Sequence, residues 1–247
     1  METISVLSAK GGVGKTTTAL ALGAGLRKRG YKVLFVDLDP QANLTYALGT
    51  TGDESERAST FDFLTSGAST PIKDDVIIST PQLATAEQEL SKTGREYRLR
   101  KALEPVKNQY DYVVIDTPPS LGILTVNALT ASDSVIIPAQ ADIFSLQGIT
   151  QIKETIEAVK EYCNHSLNVK GILLTRFNKR VVIGKYLTDM IKKYADTLET
   201  RLFNTKIREC VAIKEAQARK TDIFTYAPNS NGATDYKDFI KEYSKVS

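Results

Sequence analysis

Three short stretches carry residues suited to handling a polyphosphate. The first is SAKGGVGKTTTA, residues 8–19. Gly14, Lys15 and Thr16 close it in the manner of a phosphate-binding loop, but Ala9 stands where that pattern has its first glycine, and an additional lysine, Lys10, follows it. Successive backbone N–H groups at Gly11, Gly12, Val13 and Gly14 can form a concave nest for oxygen anions, and the start of the next helix adds partial positive charge. Lys15 is then placed to reach the β- and γ-phosphates of ATP or ADP, with Thr17 beside it as a further nucleotide-binding residue. The Thr16 hydroxyl would complete a magnesium (Mg2+) shell otherwise made of phosphate oxygens and water. The other two stretches are FVDLDPQ, with Asp37 and Asp39, and VVIDTPPS, with Asp116. Each puts a carboxylate directly after a run of apolar residues, where it can approach the magnesium through water.

These residues work only if a strand and a helix hold the loop between them. Thr3–Leu7 (TISVL) reads as a short buried strand, and Thr16–Arg29 as a helix with apolar Leu20, Leu22 and Leu26. Further strand-like runs follow at Tyr31–Asp37, near Val76, and at Asp111–Thr117, Ser134–Ala139, Val169–Thr175 and Arg201–Thr205. Helical stretches such as Ser145–Tyr162 and Ile183–Thr197 separate them. Because the apolar runs are continuous, their strands are expected to be covered on both faces, which predicts a doubly wound α/β fold with a mostly parallel sheet. Ligands of such sheets sit beyond the carboxyl ends of the strands, where the three acids lie. The polar stretch Gly49–Ser59 is expected to be a surface connection, so residues 1–247 are read as one domain.

Composition narrows the field further. With 42% apolar and 25% charged residues the chain has the make-up of a globular domain, and no apolar run approaches the length of a membrane span. The N-terminus lacks the apolar stretch of a signal peptide, so a cytoplasmic protein is expected. Cys163 and Cys210 form no C-x-x-C pair, which argues against a metal cluster or disulfide framework. The lone histidine, His165, lies in the polar connection CNHS and is assigned no catalytic role.

KGGVGKTTT at 10–18, VDLDPQANLT at 36–45 and DTPPSLGILTVNAL at 116–129 resemble the deviant Walker A, A-prime and Walker B regions of ParA-type DNA-partition ATPases, P-loop NTPases of the ParA/MinD superfamily. IRECVAIKEAQ at 207–217 and SNGATDY at 230–236 are similar to C-terminal elements of that family, so the likeness runs nearly end to end. The resemblance implies a slow, partner-stimulated ATPase that forms a homodimer with ATP. In that family the extra lysine acts across the dimer interface, which implies for Lys10 a role like an arginine finger supplied in trans. It implies that Asp39 positions the attacking water, that Asp37 and Asp116 support the magnesium shell, and that a loop containing Ile207 and Glu209 passes near the adenine. The family often has Pro and Asn at those two positions, so base contacts there are expected from the backbone. Nonspecific double-stranded DNA and a ParB-like centromere-binding protein are the implied partners, and a nucleoid-associated location follows.

Charge supports the DNA expectation. Of the net +3, residues 176–220 hold 12 Lys or Arg against 5 Asp or Glu, which is +7, and the remainder holds −4. A positive face can hold phosphates without reading bases. Arg180 matches a DNA-contacting arginine of ParA relatives; Lys206, Arg208, Lys214, Arg219 and Lys220 are candidates by charge and neighbourhood. Without a helix-turn-helix ahead of the phosphate loop, operator recognition is not expected. The alternative is a MinD-type membrane-associated positioning ATPase, whose relatives end in a lipid-binding amphipathic helix. Tyr236, Phe239, Ile240 and Tyr243 have that spacing here, but the same stripe suits a helix packed on the sheet, and no membrane partner is expected. Iron–sulfur ATPases with the same loop need paired cysteines, which Cys163 and Cys210 do not supply.

Overall fold

The apolar runs form strands β1 Glu2–Val6, β2 Val33–Asp37, β3 Val76–Ile77, β4 Tyr112–Asp116, β5 Ser134–Ala139, β6 Asn168–Phe177 and β7 Leu202–Arg208. The first helices are α1 Lys15–Lys28, α2 Asn43–Ala47, α3 Thr60–Thr65, α4 Ala86–Glu89, α5 Arg98–Leu103 and α6 Ile123–Ala131. Then come α7 Ile143–Tyr162, α8 Gly184–Thr197, α9 Val211–Ala218, α10 Ile223–Tyr226 and α11 Asn231–Tyr243. The structure, a computed structural model, describes residues 1–50, 56–66, 72–90, 93–178 and 184–245.

All the strands join one sheet in the order β3-β2-β4-β1-β5-β6-β7, and every pairing is parallel. The sheet is therefore parallel throughout, where a mostly parallel one was expected. Its continuous apolar runs follow from burial on both faces. In β2, Val33 and Phe35 pack with Leu22 and Leu26 of α1 and Phe239 of α11, whereas Leu34 and Val36 point to the opposite face, with Phe63, Leu99, Leu103 and Leu124. A third cluster seats α7 and α8 on Val135, Ile137, Ile172 and Leu174. Each fully buried Leu or Ile of these clusters stabilises the fold by roughly 2 kcal/mol.

The topology gathers the chemistry at one edge. β1 lies between β4 and β5, so the chain leaving β1 emerges at the point where the order of the sheet reverses. The register pairs Asp116 with Val6 on one side and with Asp37 on the other. Hence the loop after β1 and the carboxylates ending β2 and β4 share one carboxyl-end crevice.

Several boundaries differ from expectation by a residue or more, and two of the shifts bear on the site. β7 continues through Lys206, Ile207 and Arg208, because β6 pairs with it through Leu174–Lys206 and Phe177–Arg208; Ile207 therefore belongs to a strand and not to a loop. α7 begins at Ile143, two residues earlier than Ser145, since the Asp142 side chain caps it by accepting the Ser145 N–H at 2.9 Å. The C-terminal stripe is spent on packing. Tyr236, Phe239, Ile240 and Tyr243 are each at most 2% exposed, and Phe239 meets Phe203 edge to face at 5.0 Å. Among the described residues no helix is long and apolar enough to cross a membrane.

Candidate functional site

The loop after β1 is held by its carbonyls. Thr175 at the end of β6 donates its hydroxyl to the Val13 carbonyl at 2.6 Å, and the Gly12 carbonyl accepts from Gln140 Nε2 and Arg176 Nη1, each at 3.2 Å. Since C=O and N–H of a trans peptide point in opposite directions, anchoring these carbonyls turns the Val13 and Gly14 N–H groups the other way. Gly12 and Gly14 sit at φ 75 and 87, left-handed conformations that a Cβ would strain, and Gly14 caps α1 with no side chain. The helix start thus leaves its donors for an anion. Facing them is a cavity of about 450 Å³, a size suited to a small ligand. Gly11, Gly12, Gly14, Lys15, Thr16 and Thr17 line its floor, Asp39, Asn43 and Tyr46 one wall, and Ile207, Arg208, Glu209 and Gln217 the other.

The acids divide by partner. Asp37 is fully buried, and both its oxygens are taken: Oδ2 accepts the Thr45 N–H and hydroxyl, each at 2.8 Å, and Oδ1 accepts the Asp39 N–H at 3.1 Å. Burial nonetheless pushes its pKa up to about 6, with those hydrogen bonds opposing the shift. Expected to support the magnesium shell, Asp37 gives three hydrogen bonds' worth of its acceptor capacity to the turn that carries Asp39. Asp39, 7% exposed, reaches the cavity wall and accepts the Gln41 N–H at 3.0 Å. Asp116 is fully buried with both carboxylate oxygens lacking a hydrogen-bond partner. Burial and the neighbouring Asp37 hold its pKa well above the usual carboxylate range, and the nearby Thr16 hydroxyl and Lys15 only partly offset them. Lys15 is itself buried, which lowers its pKa against the pull of Asp116 and Asp39.

An orphaned carboxylate beside a helix-start threonine fits a hydrated divalent cation that arrives with a polyphosphate. It does not make a cage by itself: among the described residues no group of three His, Cys, Asp or Glu side chains could hold a metal ion. Thr16 and Asp116 are the residues that suit such a cation.

Lys10 stands outside the cavity. Its ammonium pairs with Asp142 Oδ2 at 2.5 Å and lies 5.7 Å from the centre of the Phe144 ring, and the pair is about 30% exposed. Burial works against the charge of Asp142, but the bonds from Lys10 and Ser145 outweigh it and lower the pKa. Ile143 and Phe144 beside it are 59% and 65% exposed. A cation and an apolar patch therefore stand together on the surface.

The basic candidates do not form one cluster of like surroundings. Arg180 lies outside the described residues. Lys206 on β7 sits 4.3 Å from the Phe177 ring centre, Arg219 5.6 Å from Tyr226 and Lys220 5.1 Å from Tyr46. Lys214 lines the cavity rim and faces Glu209 at 4.0 Å, both more than half exposed, so that pairing is weak. Arg208, expected on a DNA face, turns to Asp235 and the cavity because four hydrogen bonds hold it there. Sequence reasoning did not single out Thr45, Thr175, Arg176 or Asp142. Arg176 adopts φ 48, an uncommon backbone state for a residue with a side chain, and only the fold reveals its bond to Gly12.

Comparison with known proteins is consistent with this crevice. The AAA_31 family model, described as an AAA domain, matches residues 1–169. The sporulation initiation inhibitor protein Soj of Bacillus subtilis is 43% identical over 97% of this chain and 96% of its own length. The chromosome partitioning protein ParA of Myxococcus xanthus is 37% identical over 98% and 87%. A structure of cobyrinic acid a,c-diamide synthase from Mycobacterium smegmatis, with bound ADP and magnesium, superimposes with a TM-score of 0.80 at 32% identity, covering 98% of this chain and 93% of that one.

Proposed function

We propose, from the premise that this chain belongs to the ParA/Soj-type partition ATPases, that it is an ATP-driven switch that dimerises around the nucleotide, binds DNA without sequence preference and moves a replicon or chromosome. As an ATPase of that family it uses ATP and magnesium. The observation that carries the switch is the placement of Lys10, which lies outside its own cavity beside Asp142 and an exposed Phe144. A cation so placed does not line the cavity of its own loop, and in this reading it serves the phosphates of a second subunit.

The geometry supports the following roles. N–H groups of Val13 and Gly14 and the start of α1 receive the phosphate oxygens, while Lys15, already desolvated, supplies a strong point charge. Thr16 and Asp116 are the residues that would hold magnesium, which would supply neutralisation of the phosphate charge. Asp39 accepts a proton-side hydrogen bond from the attacking water and aims it at the γ-phosphorus. The partner subunit's Lys10 neutralises charge developing on the transferred group. Loss of the γ-phosphate then removes the shared ligand and loosens the dimer.

DNA and a ParB-like stimulating protein are the partners of this reading. Support comes from the excess of cations in residues 176–220 and from the partition names of the two relatives, each more similar in sequence than the M. smegmatis synthase. The MinD-type alternative needs a lipid-facing stripe on α11, and that stripe is buried in the core. Light scattering with ATP, with ADP and without nucleotide tests the switch. Dimers of wild type only with ATP, and monomers of Lys10→Ala that still bind ATP, are expected; a Lys10→Ala protein that dimerises and hydrolyses like wild type would sink the role in trans. Retention on nonspecific duplex DNA, compared with retention on anionic vesicles, tests the partner.

A further inference from the structure

We propose that Asp235 of α11 is a positioning residue that holds Arg208 as a contact for the base-and-ribose end of the nucleotide, a role that rests on the nucleotide reading of the cavity. β7 is an edge strand, so its outer N–H groups have no strand to pair with. Carboxylates of α11 take that place. Glu242 accepts the Asn204 and Thr205 N–H groups at 2.8 and 2.9 Å, and Asp235 accepts the Arg208 N–H at 2.9 Å.

Asp235 does more than finish the strand. Arg208 Nε donates to both its oxygens, at 3.2 and 2.9 Å, and Nη2 donates to Oδ1 at 2.6 Å. A fork gripped at two points is fixed in plane as well as in place. The Asp235 side chain is 10% exposed, whereas that of Arg208 is 41% exposed and lines the cavity. The bonds to Asp235 use Nε and Nη2, which leaves the Nη1 edge and a flat cationic face for a ligand. Such a face suits stacking on a purine or hydrogen bonding to ribose hydroxyls.

The adjacent residue ties down the other wall. Tyr236 is buried, lines the same cavity and shares a 3.1 Å hydrogen bond with Thr18, on the helix that begins with Lys15. Consecutive residues of α11 thus grip the phosphate-side helix and the base-side strand, setting the distance between them.

The test separates the two ends of the ligand. Titration calorimetry measures ATP, and competition measures inorganic tripolyphosphate, against wild type, Arg208→Ala, Asp235→Asn and the double variant. Loss of one charged contact predicts about tenfold weaker ATP binding by Arg208→Ala and several-fold by Asp235→Asn. The double variant should be no worse than Arg208→Ala, because one group acts through the other. Tripolyphosphate affinity should stay at the wild-type value in all of them. ATP affinity unchanged in both single variants would overturn the proposal, as would an equal loss for ATP and tripolyphosphate, which means the pair only supports the fold. Asp235→Asn is nearly isosteric, so it reports even if Arg208→Ala does not fold. Wild type that binds neither ligand would overturn the nucleotide reading beneath it.

Discussion

The carboxyl ends of β1, β2 and β4 differ from those of β6 and β7 in how their charges are kept. At the first, Lys15, Asp37, Asp39 and Asp116 are each less than 10% exposed, and neither Asp116 oxygen has a hydrogen bond of ordinary length, the Thr16 hydroxyl lying nearby. At the second, and on α9 and its C-cap after it, Lys206, Lys214 and Arg219 lie nearer the surface and rest against a ring or a distant carboxylate. Buried like charges raise one another's cost and strengthen any ligand that relieves it. Solvated charges cost little and act one phosphate at a time. The first region should therefore respond to mutation steeply and with cooperation, the second in small additive steps.

Lys15→Ala should break the first region most severely. Removing the buried ammonium takes away the main point charge on the phosphates, and ATP binding by calorimetry should weaken by about 100-fold or more. Unchanged affinity would mean that the nest alone holds the ligand. Asp39→Ala should come next: hydrolysis should fall by about 100-fold, the usual range for a residue that handles the proton of the nucleophile, while ATP affinity stays within a few-fold. A wild-type turnover rate would leave Asp39 as a turn residue only.

Asp116→Asn sharpens the comparison through stability. Asp37 keeps its proton up to about pH 6 in the folded protein, against 3.8 when unfolded, and Asp116 is shifted in the same direction. The folded state thus binds protons more tightly than the unfolded one, so nucleotide-free stability falls as pH rises from about 4 to 6. Above that the cost is fully present, on the order of 3 kcal/mol for Asp37. Asparagine at 116 removes a buried charge without a partner. The melting temperature at pH 7.5 should rise, by about 1–3 kcal/mol of stability, and the gain should shrink as the pH is lowered and the wild-type carboxyl takes up its proton. A loss of stability at pH 7.5 would show that the carboxylate is held favourably.

The smallest effects are expected in the second region. Lys206→Ala and Lys214→Ala, if each removes one DNA phosphate contact, should flatten the slope of log affinity against log salt by ~0.9 apiece, and by the sum when combined. ATP affinity of Lys206→Ala should not move. A salt slope equal to wild type in both would place the DNA surface elsewhere on the chain.

Much of the first region was legible because its chemistry is written in neighbouring residues. A glycine loop between an apolar strand and a helix, and acids directly after apolar runs, specify their own backbone setting, and Gly14, Lys15, Thr16 and Asp39 all line the cavity. The bonds of Asp37 to Thr45, eight residues further on, were not legible, since they depend on how the turn between them folds. Arg208 was read from its charge alone, and Asp235, 27 residues further on, decides where that charge goes. The C-terminal stripe was open to two readings until α11 was seen against α1 and β7.

The sequence by itself therefore determined the order of strands and helices, the parallel sheet and the phosphate loop, because periodic burial, glycine freedom and strand-end acids are local properties of the chain. Only the tertiary structure decided which charges are paired, which are stranded and which face the cavity. Lys10 turned to Asp142, Thr175 and Arg176 on the loop carbonyls, and Arg208 gripped by α11 all join residues far apart in the chain. Electrostatic energy depends on burial and on distance through space, and neither can be read from spacing along a sequence.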